Sequence, residues 1–193
     1  MKLKLLSFML MLVSCAVGGR AQSVALKTNL LSDVMLTPTL GIETGLAPKW
    51  SVELTGMLNA WEVNDHIFKQ WQLKPELRYW FCQRFSGHFV GAHLIAGQFN
   101  FGNIDNGIKF LGTDFSKLSD RRYQGWDFGA GLAYGYAWIL SKHWNLEAEI
   151  GLGWIHARFD EFRCADCGKK LRSNLTHNYF GPTKAAINLV CTF

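Results

Sequence analysis

The chain has 193 residues, with 20 Lys and Arg against 15 Asp and Glu for a formal charge of +5, a length that fits a single domain. Residues 1–21 hold Lys2, Lys4 and Arg20 and no acid, so without them the balance is 17 − 15 = +2. The one basic run then left, Lys169-Lys170-Leu171-Arg172, is too short to track nucleic acid, and no later apolar run approaches the ~18 residues of a transmembrane helix.

Lys2 and Lys4 form a positive start, Leu5 to Val13 an apolar run, and Gly19-Arg20-Ala21 a small-residue cleavage site before Gln22. This is the pattern of an export signal over residues 1–21, with the mature domain at 22–193. The competing reading, a lipobox at Leu12-Val13-Ser14-Cys15 with Cys15 lipidated, would add an acyl anchor to the same exported chain. Cys82, Cys164, Cys167 and Cys191 remain in the mature chain and do not define a disulfide scaffold.

From Val24 onward the pattern alternates, and no segment keeps a 3.6-residue apolar period for three turns, so essentially no helix is expected. Val24 to Leu30 reads as a first strand, with Lys27 on the polar face. Leu36 to Leu46 reads as a second and Ser51 to Trp61 as a third, with Glu43 and Glu53 opposite the leucines. A polar loop is expected over 62–70. The fourth strand sets Trp71, Leu73, Pro75, Leu77, Tyr79 and Phe81 against Gln72, Lys74, Glu76, Arg78 and Trp80. A fifth runs from about His88 to Phe101, and a long loop follows over 102–122. In the sixth, Tyr123 to Leu140, aromatic residues face a row of glycines. The seventh, Trp144 to Phe159, carries Glu147 and Glu149 on its polar face. A second long loop, 160–178, holds Cys164 and Cys167, and the last strand, Thr183 to Phe193, carries Lys184 on its polar face.

Eight strands with short turns at 47–49, 82–87 and 141–143, alternating with connections that are long except for the first (62–70, 102–122, 160–178), predict an all-β fold: an eight-stranded antiparallel transmembrane β-barrel, an up-and-down meander. Three features favour a membrane barrel over a soluble sandwich or a lipocalin-like carrier. Ten charges of mixed sign share the face opposite the apolar one: Lys27, Glu43, Glu53, Lys74, Glu76, Arg78, Asp127, Glu147, Glu149 and Lys184. Trp50, Trp80, Trp138 and Trp144 lie at the short-turn end, and Trp61, Trp71, Trp126 and Trp154 toward the other, as two girdles require, although Trp61 and Trp80 carry inward parity. The third feature is the final alternating strand, which ends on Phe193 and resembles the signal read by the barrel-assembly machinery.

Lys27-Thr28-Asn29-Leu30-Leu31, Pro48-Lys49-Trp50-Ser51, Pro75-Glu76-Leu77-Arg78-Tyr79-Trp80, Gly87-His88-Phe89-Val90-Gly91 and Gly181-Pro182-Thr183-Lys184 resemble the recurring blocks of a Bacteroidota family of small outer-membrane β-barrels. That family is known only as a domain of unknown function, and some members are similar to proteins encoded beside fimbrial genes. The resemblance covers nearly all of the mature chain. It implies fold and location, and it brings no catalytic residues.

The expected interior is a salt-bridge network centred on Lys74, Glu76 and Arg78, joined by Glu53, Glu147 and Lys27. Because an eight-stranded barrel is filled by its own side chains, this is a plug before it is a pore. Cys164 and Cys167 are a candidate loop disulfide, against a half zinc site completed by His156 or His177, or free thiols. Cys82 and Cys191 have opposite parity and are expected unpaired. No Gly-x-Ser-x-Gly elbow is present, so the expectation is a structural or surface-interaction protein without enzymatic activity or cofactor. The alternative is a lipid A-modifying barrel with His93 or His156 as base. Expected partners are outer-membrane lipid and lipopolysaccharide, the latter through Lys169, Lys170 and Arg172, the assembly machinery, and fimbrial or other surface proteins. Nucleic acid is not among them.

Overall fold

Alternation of side chains sends every second residue of each strand to one side of the sheet, and here the two sides are chemically opposite. The computed structural model of the protein describes residues 23–63, 66–102, 109–110, 113–114, 121–163 and 170–193. The expected signal segment, Cys15, Cys164, Cys167, Lys169 and the side chain of Trp61 lie outside the described residues.

The chain runs through β1 (Val24–Asn29), the one-turn helix α1 (Leu30–Val34), β2 (Thr39–Ala47), β3 (Trp50–Val63), β4 (His66–Trp80) and β5 (Gly87–Gly102). Two-residue strands β6 (Lys109–Phe110) and β7 (Thr113–Asp114) pair with each other, and β8 (Arg122–Ile139), β9 (Trp144–Phe162) and β10 (Lys170–Thr192) follow. Eight strands form a closed antiparallel ring in the order β1-β2-β3-β4-β5-β8-β9-β10, with β10 returning to β1. Closure satisfies the backbone hydrogen bonds that an open sheet would leave at its edges. Among the described residues no helix is long and apolar enough to cross a membrane.

Three elements differ from the sequence expectation. The loop expected over 62–70 is strand instead at 62–63 and 66–70: β3 and β4 stay in register from Trp50↔Tyr79 to Val63↔His66. The loop expected over 160–178 is also strand at 160–162 and 170–178, because β10 begins at Lys170 and pairs with β9 as far as Phe162. Both segments are rich in polar residues. Polarity marks a loop only where a strand must also bury one face, and a ladder that projects beyond the main body of the barrel has no such requirement. The third difference is β2, which starts at Thr39 and not at Leu36, since Leu36 has φ +57° and Pro38 lacks an amide hydrogen for the ladder.

One irregularity sets the interior. The register of β10 against β9 shifts between Pro182↔Leu152 and Lys184↔Gly151. At this bulge Thr183 and Lys184 both turn inward and are buried, so the bulge re-aims two polar side chains. Pro182, without an N–H, fits such a break in the ladder.

Candidate functional site

Inside the ring, nine of the ten charges named from parity are buried: Lys27, Glu43, Glu53, Glu76, Arg78, Asp127, Glu147, Glu149 and Lys184. Lys74 is half-buried. Outside, Leu132 is 72% exposed, Trp126 61% and Ile150 60%. The barrel is therefore apolar outward and charged inward.

Arg78 is the hub. Its Nε donates to Glu76 at 2.6 Å, Nη1 to Glu43 at 3.0 Å and to Glu147 at 3.1 Å, and Nη2 lies 2.7 Å from both Glu53 and Glu149. Lys27 binds Glu53 at 3.0 Å, Glu147 at 2.8 Å, and Glu43. Lys184 binds Glu76 at 2.7 Å, Glu149 at 3.0 Å and Glu53 at 3.5 Å. Five carboxylates thus surround three cations, a balance of 3 − 5 = −2. Neutral donors serve the remaining oxygens: Thr55 to Glu53 at 2.7 Å, Asn188 to Glu147 at 2.8 Å, and Ser51 to Glu43. The guanidinium suits this position because its planar fork directs several N–H groups at separate carboxylates, which an ammonium cannot do.

An aromatic layer closes the end with the short turns. Trp80, Phe85 and Phe89 are buried together with Ala25, Ala137 and Val190. Trp80 donates its indole N–H to Ser51 at 2.8 Å, and the Arg78 guanidinium lies 4.5 Å from the centre of the Phe89 ring. Phe85 reaches this layer from a turn, at φ +62°. That conformation costs a non-glycine residue roughly 1–3 kcal/mol and persists where packing holds it. Two glycines make room for the plug. A Cβ at Gly91 would lie 2.5 Å from Glu76 Oε1, and one at Gly135 would strike the Phe89 ring.

Of the expected network, Lys27, Glu53, Glu76, Arg78 and Glu147 come together. Lys74 makes none of these ion pairs and stands nearer the open end, at the level of Gln72, which donates to Asp127 at 2.7 Å. The geometry adds Glu43, Glu149 and Lys184, and also Thr183, whose inward turn is hidden by the bulge; a Gly-Pro inside an alternating strand is the signal for it. His93 is buried, with Nε2 2.9 Å from Thr183 Oγ1 and Nδ1 3.8 Å from Glu76, too far for a hydrogen bond. His156 is on the outer side, bound to Asn178 at 2.8 Å and stacked on Trp154. Cys82 and Cys191 are free thiols. Phe193 is exposed, and its backbone N–H donates to Val24 O at 2.9 Å.

At the far brim, Lys170 donates to Asp160 at 2.6 Å, and the Asn174 backbone N–H donates to the other Asp160 oxygen at 2.9 Å. These bonds hold the Asp160 carboxyl below its usual range. A group lowered in the folded state stabilises above its unfolded pKa and loses that contribution as pH falls through the folded one. The ribbon tip should therefore keep its amide protection from pH 7 down to about 4 and lose it only in more acid solution. Hydrogen exchange at Asn174 reads this, and loss of protection already near neutrality would remove Asp160 from the account.

No curated protein and no solved structure matches the chain. A family model matches residues 6–193, and the chain belongs to that family, which is described as Protein of unknown function (DUF3575).

Proposed function

We propose that the protein is an outer-membrane β-barrel of a Gram-negative bacterium, exported by its N-terminal segment, with a sealed interior and a non-catalytic role at the cell surface. The observation that carries this reading is the inversion of the barrel. Water would have to cover Leu40, Leu54, Leu73, Leu132, Ile150 and Leu152, all at least 45% exposed, and soluble proteins rarely expose apolar patches of that extent. Hydrocarbon solvates them at no such cost, and the interior ion pairs then face no lipid.

The outward indoles support the same reading. Trp50, Trp138 and Trp144 ring the short-turn end, and Trp71, Trp126 and Trp154 lie toward the other. From Trp126 to Trp138 in β8, and from Trp144 to Trp154 in β9, the rise is roughly 3.3 Å per residue at a tilt of about 40°, which sets the two levels roughly 25–30 Å apart. That is the height of a hydrocarbon band between two headgroup layers.

The strands continue beyond the upper indoles into a ribbon whose brim is basic. Among the described residues at the upper ends of β8 to β10, Arg121, Arg122, Arg158, Arg163, Lys170 and Arg172 outnumber Asp160 and Glu161. Such a brim suits lipopolysaccharide phosphates, or an acidic face of a fimbrial or other surface protein. In planar bilayers the purified barrel should show heat-modifiable gel migration and no steady conductance. A stable open channel would overturn the sealed interior, and recovery as a soluble periplasmic protein would overturn the barrel in the membrane.

A further inference from the structure

β1 and β2 are much shorter than the other six strands of the ring, and this opens one side of it. β10 pairs with β9 from Lys170 to Cys191 but with β1 only from Asn188 to Thr192. β3 pairs with β4 up to Val63 but with β2 only up to Met57. Among the described residues no strand joins β10 to β3 above that level. At ~3.3 Å per residue and a tilt of about 40°, the flanking strands stand roughly 15 Å or more above the β1–β2 stump.

The sill of this gap is firmly built. Asn29 continues the ladder with its side chain, accepting from Ile187 N at 3.2 Å and donating to Ala185 O at 3.3 Å. Asp33 ties the ends of β1 and β2 together through Thr28 Oγ1 at 2.5 Å and Thr39 N at 3.2 Å. The sill is also apolar, with Val34 83%, Met35 70% and Leu36 62% exposed. On its outer side an apolar groove of about 420 Å³ runs between Leu31 and Tyr134, Ile150 and Ile187.

Behind the gap lies a cavity of about 800 Å³, lined by β3, β4, β5, β8, β9 and β10 and by no residue of β1 or β2. At this height the buried Glu161 is ion-paired with Arg121, and its inward neighbours include a row of aromatic rings. By strand parity Phe68, Phe99, Phe101, Tyr123 and Phe159 face the interior, and they form a chain of ring contacts. Phe68 and Phe101 lie 4.7 Å apart, Phe101 and Phe99 5.3 Å, Phe99 and Phe159 6.4 Å, and Phe159 and Tyr123 5.6 Å. None of the five is buried. An aromatic collar left partly open inside a barrel, above a plug that already seals the interior, is surface prepared for an apolar guest.

We infer that this collar is a binding site for the acyl chain of an anionic membrane amphiphile, which enters sideways between β3 and β10. The inference rests on the membrane reading, which puts the sill of the gap at the level of the outer-leaflet chains and the collar at and just beyond the upper indoles, so that the chain rises from the leaflet into the barrel. The chain lies against Phe99, Phe101 and Phe159, and the charged head stays at the basic brim beside Arg121, Arg122 and Lys170. Polar and charged groups below, from Gln72 and Asp127 down to Arg78, stop the chain from going deeper, because an alkyl chain cannot replace their hydrogen bonds.

The test uses the full chain in phospholipid nanodiscs with palmitic acid carrying a diazirine at its methyl end, photolysed and mapped by mass spectrometry. Crosslinks on Phe99, Phe101 or Phe159, together with outward Leu132 and Leu152, are expected. Phe99→Glu should lower the collar crosslinks roughly tenfold or more and leave the outward ones unchanged. Should that variant lose heat-modifiable migration, Ala157→Phe, which narrows the interior one inward position below Phe159, should produce the same selective drop. Crosslinks on Leu132 and Leu152 with none on the collar would overturn the acyl site and leave the barrel reading intact. No crosslink at either place, with no heat-modifiable band, would overturn the barrel reading itself.

Discussion

Arg78→Met is expected to abolish the folded barrel. Removing one partner of a buried ion pair typically costs about 3–5 kcal/mol, and Arg78 is the partner of five carboxylates at once. Its loss moves the cluster from 3 − 5 = −2 to 2 − 5 = −3, with Lys27 and Lys184 left to hold every carboxylate. A deficit of that size is comparable to the whole stability of an ordinary domain, ~5–15 kcal/mol. The measurement is the fraction of heat-modifiable barrel after refolding into lipid vesicles. Arg78→Lys should lie between the two, since it keeps the charge and loses the fork. Adding Glu43→Gln and Glu149→Gln to Arg78→Met should recover folded protein, because the defect is unpaired charge and not lost volume. A single Arg78→Met variant that folds like the parent would end the view of Arg78 as the hub.

The second large effect is on the outer wall. Leu132 is exposed, and in β8 it lies about midway between Trp126 and Trp138. Under the membrane reading, Leu132→Arg puts a guanidinium near the bilayer midplane, at a cost of roughly 2–4 kcal/mol, whereas Trp126→Arg near the interface costs about 0–1 kcal/mol. In a water-soluble barrel the first change would be neutral or would improve solubility. Urea unfolding of the two variants in lipid vesicles separates the cases. Equal stabilities for Leu132→Arg and Trp126→Arg would remove the hydrocarbon band.

The strand count, the closed all-β ring and the facing of the charges could be read from the residues, because period-two alternation depends only on which side chains share a face. Lys27, Glu43, Glu53, Glu76 and Arg78 needed no more than that. Partner choice needed the ring itself. Lys74 and Arg78 have the same parity, yet one sits at the centre of five carboxylates and the other nearer the mouth, and the difference is height along the barrel, fixed by strand tilt and register. Thr183 was harder still. The bulge at Pro182 breaks the parity rule, so simple alternation places Lys184 inside and Thr183 outside, whereas both turn inward. The polar runs at 62–70 and 170–178 misled for the opposite reason: beyond the main body of the barrel a strand is held by its ladder, and its composition no longer reports its conformation. The aromatic collar escaped notice because Phe68, Phe99, Phe101, Tyr123 and Phe159 are scattered over four strands and meet only when the sheet curls.

The seam between β1 and β10 joins Leu26 to Cys191 and Asn29 to Asn188, the two ends of the chain, while most other neighbouring strands are linked by a local turn. Loop-closure entropy grows with the chain enclosed, and contacts between distant residues are the slowest to form. Local hairpins such as β2–β3, β4–β5 and β8–β9 need only short turns, so the sheet can grow outward from them and remain an open, curling ribbon. The seam is also a short ladder, of five pairs, and is reinforced at its top by the Asn29 side chain. Closure is thus expected to come last in folding. Until it occurs, the carboxylates of β2, β3, β4 and β9 await Lys27 from one margin of the ribbon and Lys184 from the other. Delivery of Lys27 and Lys184 to the same carboxylates and closure of the wall are therefore one and the same step.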